Sequence, residues 1–392
     1  MGKKRIAACV AAGFLAAGML SGLTACGGDT EEVTVTEITD FTNEEYVNTY
    51  GRIFYNENIE GMTFVNSASG FEVRFTGTEL KGSVWASVSG YTKGMFSVFV
   101  DGDKNSNARV VEVYPTAGDF DEITFVEGLP EGEHTVKVLK RTPSNRDVCI
   151  FESITTDGSF LSAPARPAIK LDIYGDSITC GEGVMREVTY NETTKTYEDS
   201  KVYTADTQNV FQSYAGVASR ELDAEFRVFG RGGIAMKYAK TGVQTVVENY
   251  KSMAVDMSVE NGDCPEYDYN SYFPDAVVIY LGTNDYARRN DNMGYSLTGL
   301  QAGFIEFIDN VVGTYYGEDM PIFLCYGLMV PDSGLDRCME SVKASLISKY
   351  PNIDTVAFEA GITAPSGHPC LEESEVAGKL LAEKIRAKLE EL

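Results

Sequence analysis

The 392-residue sequence predicts an α/β chain in two parts. A three-layer αβα domain with a parallel sheet is expected over residues 168–392, behind an all-β jelly-roll domain over residues 46–162. Three observations carry this reading. From about Gly51 to Asp157 apolar and polar residues alternate in short runs, with Gly/Asp turns about every 8–12 residues, as in an antiparallel sandwich or jelly roll. Pro164-Ala165-Arg166-Pro167 then breaks the chain. Beyond it short, nearly continuous apolar runs alternate with helical stripes, the pattern of parallel strands covered on both faces.

Taken in order, residues 1–25 read as a targeting segment. Lys3-Lys4-Arg5 is a positive start, residues 6–23 are apolar, and Leu23-Thr24-Ala25-Cys26 looks like a bacterial lipobox whose cysteine takes the lipid. That predicts an extracytoplasmic lipoprotein held at the cell membrane through Cys26. An ordinary secretory signal and a retained transmembrane anchor are the alternatives. Residues 26–45 are acidic and read as a tether.

In the β-domain, Phe71-Glu72-Val73-Arg74-Phe75, Phe96-Ser97-Val98-Phe99-Val100 and the run from His134 to Lys140 alternate as strands. His134 is accordingly a strand residue. After the boundary, residues 169–174, 226–229, 276–281 and 321–326 read as parallel strands. Val210, Tyr214, Val217, Ala218 and Leu222 fall at helical spacing; so do Leu300, Phe304, Ile308, Val311 and Val312, and finally Leu381, Ile385, Leu389 and Leu392. A functional site is expected at the carboxyl ends of the parallel strands.

Composition narrows the function classes. A formal charge of −25, with 33 Lys+Arg against 58 Asp+Glu, offers no basic stripe for nucleic acid and disfavours polyanionic substrates. The 22 tyrosines and 20 phenylalanines would suit a neutral ligand where they are not core. Beyond Cys9 and Cys26, six cysteines remain without CxxC or Cys/His spacing, so no structural metal is predicted.

Four motifs carry chemistry. Gly175-Asp176-Ser177-Ile178 places a hydroxyl on a strand-to-helix turn. Gly230-Arg231-Gly232-Gly233 offers a backbone N–H from Gly230 or Gly232. Gly282-Thr283-Asn284-Asp285 ends a strand with a carboxamide, and His368-Pro369 precedes the final helix. With only two histidines in the chain, His368 is almost the only general base available at neutral pH. Together these are a nucleophile, a base and oxyanion donors, the parts of an acyl-transfer site.

The order GDSITCGEG, FGRGG, LGTND and HP resembles the SGNH (GDSL-like) hydrolase superfamily. The string from Gly175 to Gly181, with a β-domain in front, resembles carbohydrate esterase family 2 in particular. The resemblance covers about residues 48–390; its first and third motifs are specific and the second is loose. It implies Ser177 as nucleophile, His368 as base, and the Ser177 N–H, Gly230 and Asn284 as oxyanion donors. It also implies O-deacetylation of plant-type polysaccharides or oligosaccharides with no cofactor. Phe229 stands where a serine is common, which leaves Gly232 open beside Gly230. Pro365 occupies the place where such enzymes often carry an aspartate, so a main-chain carbonyl is expected to orient His368, with Glu359, Glu372 or Glu373 as the remote-acid alternative.

Residues 186–206 look like an insertion beside the nucleophile that rims the pocket or lies solvated. Cys180 and Cys370 flank Ser177 and His368 in sequence; a bridge between them is weighed against two separate buried thiols. Two rival functions remain: an SGNH esterase or lipase on other acyl esters, and a catalytically idle polysaccharide-binding surface lipoprotein.

Overall fold

The computed structural model describes residues 34–199, 203–241, 245–251, 264–291, 294–330, 333–359 and 367–392. The targeting segment and Cys26 lie outside these residues.

The N-terminal part is two six-stranded antiparallel sheets. One runs Ile53–Asn56, Gly61–Phe64, Asp147–Thr156, Leu80–Val88, Asp121–Val126, with Glu37–Ile38 also pairing with Asp147–Thr156; the other runs Ser159–Leu161, Gly70–Thr76, Glu133–Lys140, Gly94–Val100, Val110–Val113, with Val47–Tyr50 also pairing with Gly70–Thr76. Alternation writes the core directly: Phe71, Val73 and Phe75 of one strand are fully buried, as are Phe64, Phe96, Phe125 and Phe151 around them. Their rings meet edge to face, as at Phe64–Phe151 (5.0 Å, 79°) and Phe96–Phe151 (5.9 Å, 89°). Trp85 lies on the outer side of Leu80–Val88, packed against Val148 and Ile150. His134 is tied to Asp101 Oδ2 at 2.8 Å and the Pro130 carbonyl at 2.7 Å within the sandwich. The tether is shorter than the sequence implied: Glu37–Ile38 pairs with Asp147–Thr156 and Phe41 enters the core. Two residues are too few to show a period, so composition alone masked this strand.

The C-terminal part is a five-stranded parallel sheet whose strands are β1 (Ile169–Gly175), β2 (Ala224–Gly230), β3 (Ala276–Tyr280), β4 (Ile322–Tyr326) and β5 (Ile353–Ala357). The spatial order is 2-1-3-4-5, with every pair parallel. Side chains go alternately to two cores. Val277 and Ile279 face one and Ala276, Val278 and Tyr280 the other. Helices α1 (Tyr214–Leu222), α2 (Thr283–Ala287), α3 (Leu297–Ile308), α4 (Leu335–Leu346) and α5 (Leu371–Glu391) complete the layers. α3 and α4 cover the first core; α1 and α5 cover the second. Gly378 lets α5 approach α1, since a Cβ there would lie 2.4 Å from Val217 Cβ.

The order reverses between β1 and β3, and open parallel sheets take ligands at such a point, beyond the carboxyl ends of the strands. The sandwich closes one side of this edge. Tyr91 Oη donates to Gln208 Oε1 (2.8 Å), Asn209 Nδ2 to Asn107 Oδ1 (3.1 Å), and Arg146 Nη2 to Glu182 Oε1 (3.0 Å).

Candidate active site

Ser177 follows β1 by two residues and is almost fully buried. The backbone beyond it differs from the sequence reading. Residues 177–185 form a run of turns, and the first α-helix begins only at Tyr214. Gly181 (φ +72°) and Gly183 (φ +71°) sit in the left-handed region, which stops a helix from forming. Asp176 Oδ1 accepts the Ile178 N–H at 2.9 Å and shapes the first turn. Gly175 admits no side chain, because a Cβ would fall 1.8 Å from Thr179 Oγ1.

The turn presents Ser177 Oγ to His368 Nε2 at 2.9 Å, although 191 residues separate them in sequence. Of the two histidines, then, His368 meets the candidate nucleophile and His134 is committed to the sandwich. Burial pulls the His368 imidazole below its ordinary value, with Glu182 opposing this and Arg186 adding to it. The neutral, proton-accepting form therefore dominates at neutral pH.

Gly230, the last residue of β2, is in register with Gly175. A Cβ on it would lie 2.2 Å from the Gly175 carbonyl oxygen, so only glycine lets β2 end this close to the nucleophile turn. Gly232 points elsewhere, its Cβ direction running into Glu182 Oε2 at 2.7 Å. Asn284 is the second residue of α2, whose start is held by the left-handed Gly282 (φ +106°). Its Nδ2 donates to the Ile234 carbonyl at 2.9 Å and to Asp176 Oδ2 at 3.2 Å. Asp285 beside it accepts the N–H groups of Met236, Lys237 and Tyr238 at 2.7–2.8 Å, which fixes the loop after Gly230. Burial pushes the Asp176 carboxyl up to about 7, a shift reduced by the Ile178 N–H and increased by Glu182 and Asp285.

The residues that sequence reasoning missed come from the insertion. Strands Val188–Asn191 and Thr196–Asp199 form a hairpin. Before it, Arg186 Nε meets Asp199 Oδ2 at 3.0 Å, both side chains fully enclosed. The same guanidinium donates to the carbonyls of Gly183 (2.8 Å), Pro369 (3.2 Å) and His368. One arginine thus fastens the nucleophile turn, the hairpin and the histidine segment. Tyr203, just after the hairpin, sets its ring 5.3 Å from the imidazole and its Oη 3.3 Å from His368 Nδ1.

The expected main-chain carbonyl is not what meets Nδ1: among the described residues the Tyr203 hydroxyl takes that place. Of the remote acids, Glu373 is occupied elsewhere: its Oε2 accepts the Cys370 N–H at 2.8 Å at the start of α5. Pro365 and Ser366 lie outside the described residues. Cys180 and Cys370 are both buried and stand as separate thiols rather than a bridge.

Residues 49–164 match the family model described as carbohydrate esterase 2 N-terminal. A cellulase/esterase of Acetivibrio thermocellus is 28% identical over 334 residues, covering 82% of this chain and 37% of the relative. An acetylxylan esterase/glucomannan deacetylase of Cellvibrio japonicus is 29% identical over 160 residues, 40% of each protein. The chain thus spans well under half the length of these relatives. A solved structure of a family two carbohydrate esterase from Clostridium thermocellum, in complex with cellohexaose, superposes with a TM-score of 0.71. It is 24% identical and covers 88% of this chain and 100% of that one.

Proposed function

We propose that this chain, which carries a carbohydrate esterase 2 N-terminal domain ahead of its parallel-sheet domain, is a carbohydrate O-acetyl esterase. The observation that supports it best is Ser177 Oγ 2.9 Å from His368 Nε2 at the switch point of the sheet. The sandwich in front is of the kind found in the esterases it resembles.

In this reading Ser177 Oγ attacks the acetyl carbonyl as His368 Nε2 takes its proton. The N–H groups of Ser177 and Gly230 and the Asn284 carboxamide hold the oxyanion. Gly230 is preferred to Gly232 because it ends in register with the nucleophile strand. The 3.2 Å contact of Asn284 with Asp176 is the one that yields to the oxyanion, while the shorter bond to Ile234 keeps the carboxamide in place. His368 returns its proton to the departing sugar hydroxyl. A water, deprotonated by the same imidazole, then releases acetate and regenerates Ser177. The substrate is an acetylated plant-type polysaccharide or oligosaccharide, consistent with the relatives' names. We place the protein outside the cytoplasm, held through lipid on Cys26.

Hydrolysis of p-nitrophenyl acetate against butyrate and octanoate tests the acyl group, followed by acetate release from acetylated glucomannan and xylan. Preference for octanoate would favour the esterase/lipase alternative. Binding without turnover would favour the idle surface protein. For the anchor, Cys26→Ala should move the protein from the membrane fraction to the soluble one.

A further inference from the structure

We infer that Tyr203 is the third member of the Ser177–His368 pair, a positioning residue whose hydroxyl oxygen accepts the His368 Nδ1 proton. This deepens the esterase reading and rests on it for its kinetic consequences. Imidazole serves as a base toward Ser177 only if Nε2 is bare, which requires the proton to sit on Nδ1. That proton needs an acceptor, and Tyr203 Oη lies 3.3 Å away.

A second observation is independent of that contact. Gly183, in the nucleophile turn, has φ +71°, and a Cβ on it would lie 2.5 Å from Tyr203 Cε1. The Tyr203 ring therefore touches both the bare backbone of the nucleophile turn and the imidazole. Arg186 locks the same geometry, bonding the carbonyls of Gly183 and His368 at once. The segment after the nucleophile thus supplies what an acid near Pro365 would supply in a triad.

A phenol oxygen orients the ring but brings no full charge. The charged groups that face the imidazole are Glu182, which favours the imidazolium, and Arg186, which disfavours it. Losing the Tyr203 oxygen would let the neutral ring turn to the tautomer protonated on Nε2, which cannot accept from Ser177. That escape lowers the imidazole pKa, so the acid limb of the rate profile moves to lower pH.

The test is Tyr203→Phe, which keeps the ring against Gly183 and removes only the oxygen. Two readouts are taken. First, ¹⁵N-histidine NMR reports the tautomer; the chain has two histidines, and the His368→Gln variant assigns the other signal to His134. Wild type should show Nδ1–H with bare Nε2, and the variant should lose this preference. Second, kcat for p-nitrophenyl acetate should fall about five- to tenfold, the equivalent of one neutral hydrogen bond, with KM unchanged and the acid limb displaced downward. An unaltered tautomer in the variant would overturn the inference, as would an effect confined to KM. If wild type hydrolyses no ester, the esterase reading fails alone, because the tautomer readout still decides the role of Tyr203.

Discussion

The Asn284 carboxamide donates to the Asp176 carboxylate at 3.2 Å, so two motifs 108 residues apart in sequence hold each other at one edge of the sheet. Asp285, one residue on, takes three backbone N–H groups of the loop that follows Gly230. The first motif, the third and the loop that follows the second are therefore joined by hydrogen bonds through Asp176, Asn284 and Asp285. A buried polar network of this kind fixes geometry only while every member is satisfied.

Asn284→Ala removes the proposed side-chain oxyanion donor. It should lower kcat by about 10²–10³, the usual cost of one such donor, with a smaller change in KM. Steady-state kinetics on p-nitrophenyl acetate separates the two. An effect confined to KM would make Asn284 a substrate-binding group.

Ser177→Ala and His368→Ala should each abolish turnover while circular dichroism and melting temperature stay near wild type. Nucleophile and base act as a unit, so the double variant should be little worse than either single one. His134→Ala is the control. Its imidazole is held by Asp101 and Pro130 inside the sandwich, so activity should persist even where stability drops. A dead His134→Ala that still folds would contradict the assignment.

Much of this was legible in sequence because the informative residues sit at fixed offsets from strand ends. The carboxyl-terminal halves of β1 and β2 and almost all of β3 and β4 are buried, and Ser177 and Asn284 lie a few residues beyond β1 and β3. β5 did not read this way, since only Ile353 and Val356 of its five residues are buried. α4 was readable and missed: Leu335, Cys338, Met339, Val342 and Leu346 are its buried face at helical spacing. Arg186, Asp199 and Tyr203 carry no such offset. Their importance follows from where a hairpin folds back, which no local pattern encodes.

The acid limb of kcat/KM should lie below 6.5, the ordinary histidine value, because burial depresses the His368 pKa. A histidine base is inactive when protonated, so the rate falls as pH drops through that depressed value. Glu182 opposes the depression by favouring the imidazolium. Glu182→Gln should therefore move the limb still lower and leave the rate at alkaline pH nearly unchanged. A limb displaced upward would show that Glu182 acts on another group. The profile is best read with an acetyl ester whose own hydrolysis is flat across the range.

The last prediction concerns Arg186 and Asp199, whose side chains are both fully enclosed. Asp199→Ala leaves the guanidinium buried without its partner charge, a change that costs about 3–5 kcal/mol in such pairs. Melting temperature should drop by at least several degrees. The double variant Arg186→Met, Asp199→Leu removes the stranded charge, so much of that stability should return, as it does when buried ion pairs are replaced by apolar residues. Recovery should be partial, because the carbonyls of His368 and Pro369 lose the guanidinium, while Gly183 keeps the backbone N–H of residue 186, and each unsatisfied buried group costs about 1–3 kcal/mol. Activity should separate from stability here. Without Arg186 the histidine segment is no longer fastened to the nucleophile turn, so kcat should stay low in the double variant even well below its melting temperature. Full recovery of kcat together with stability would mean that the arginine serves only the fold.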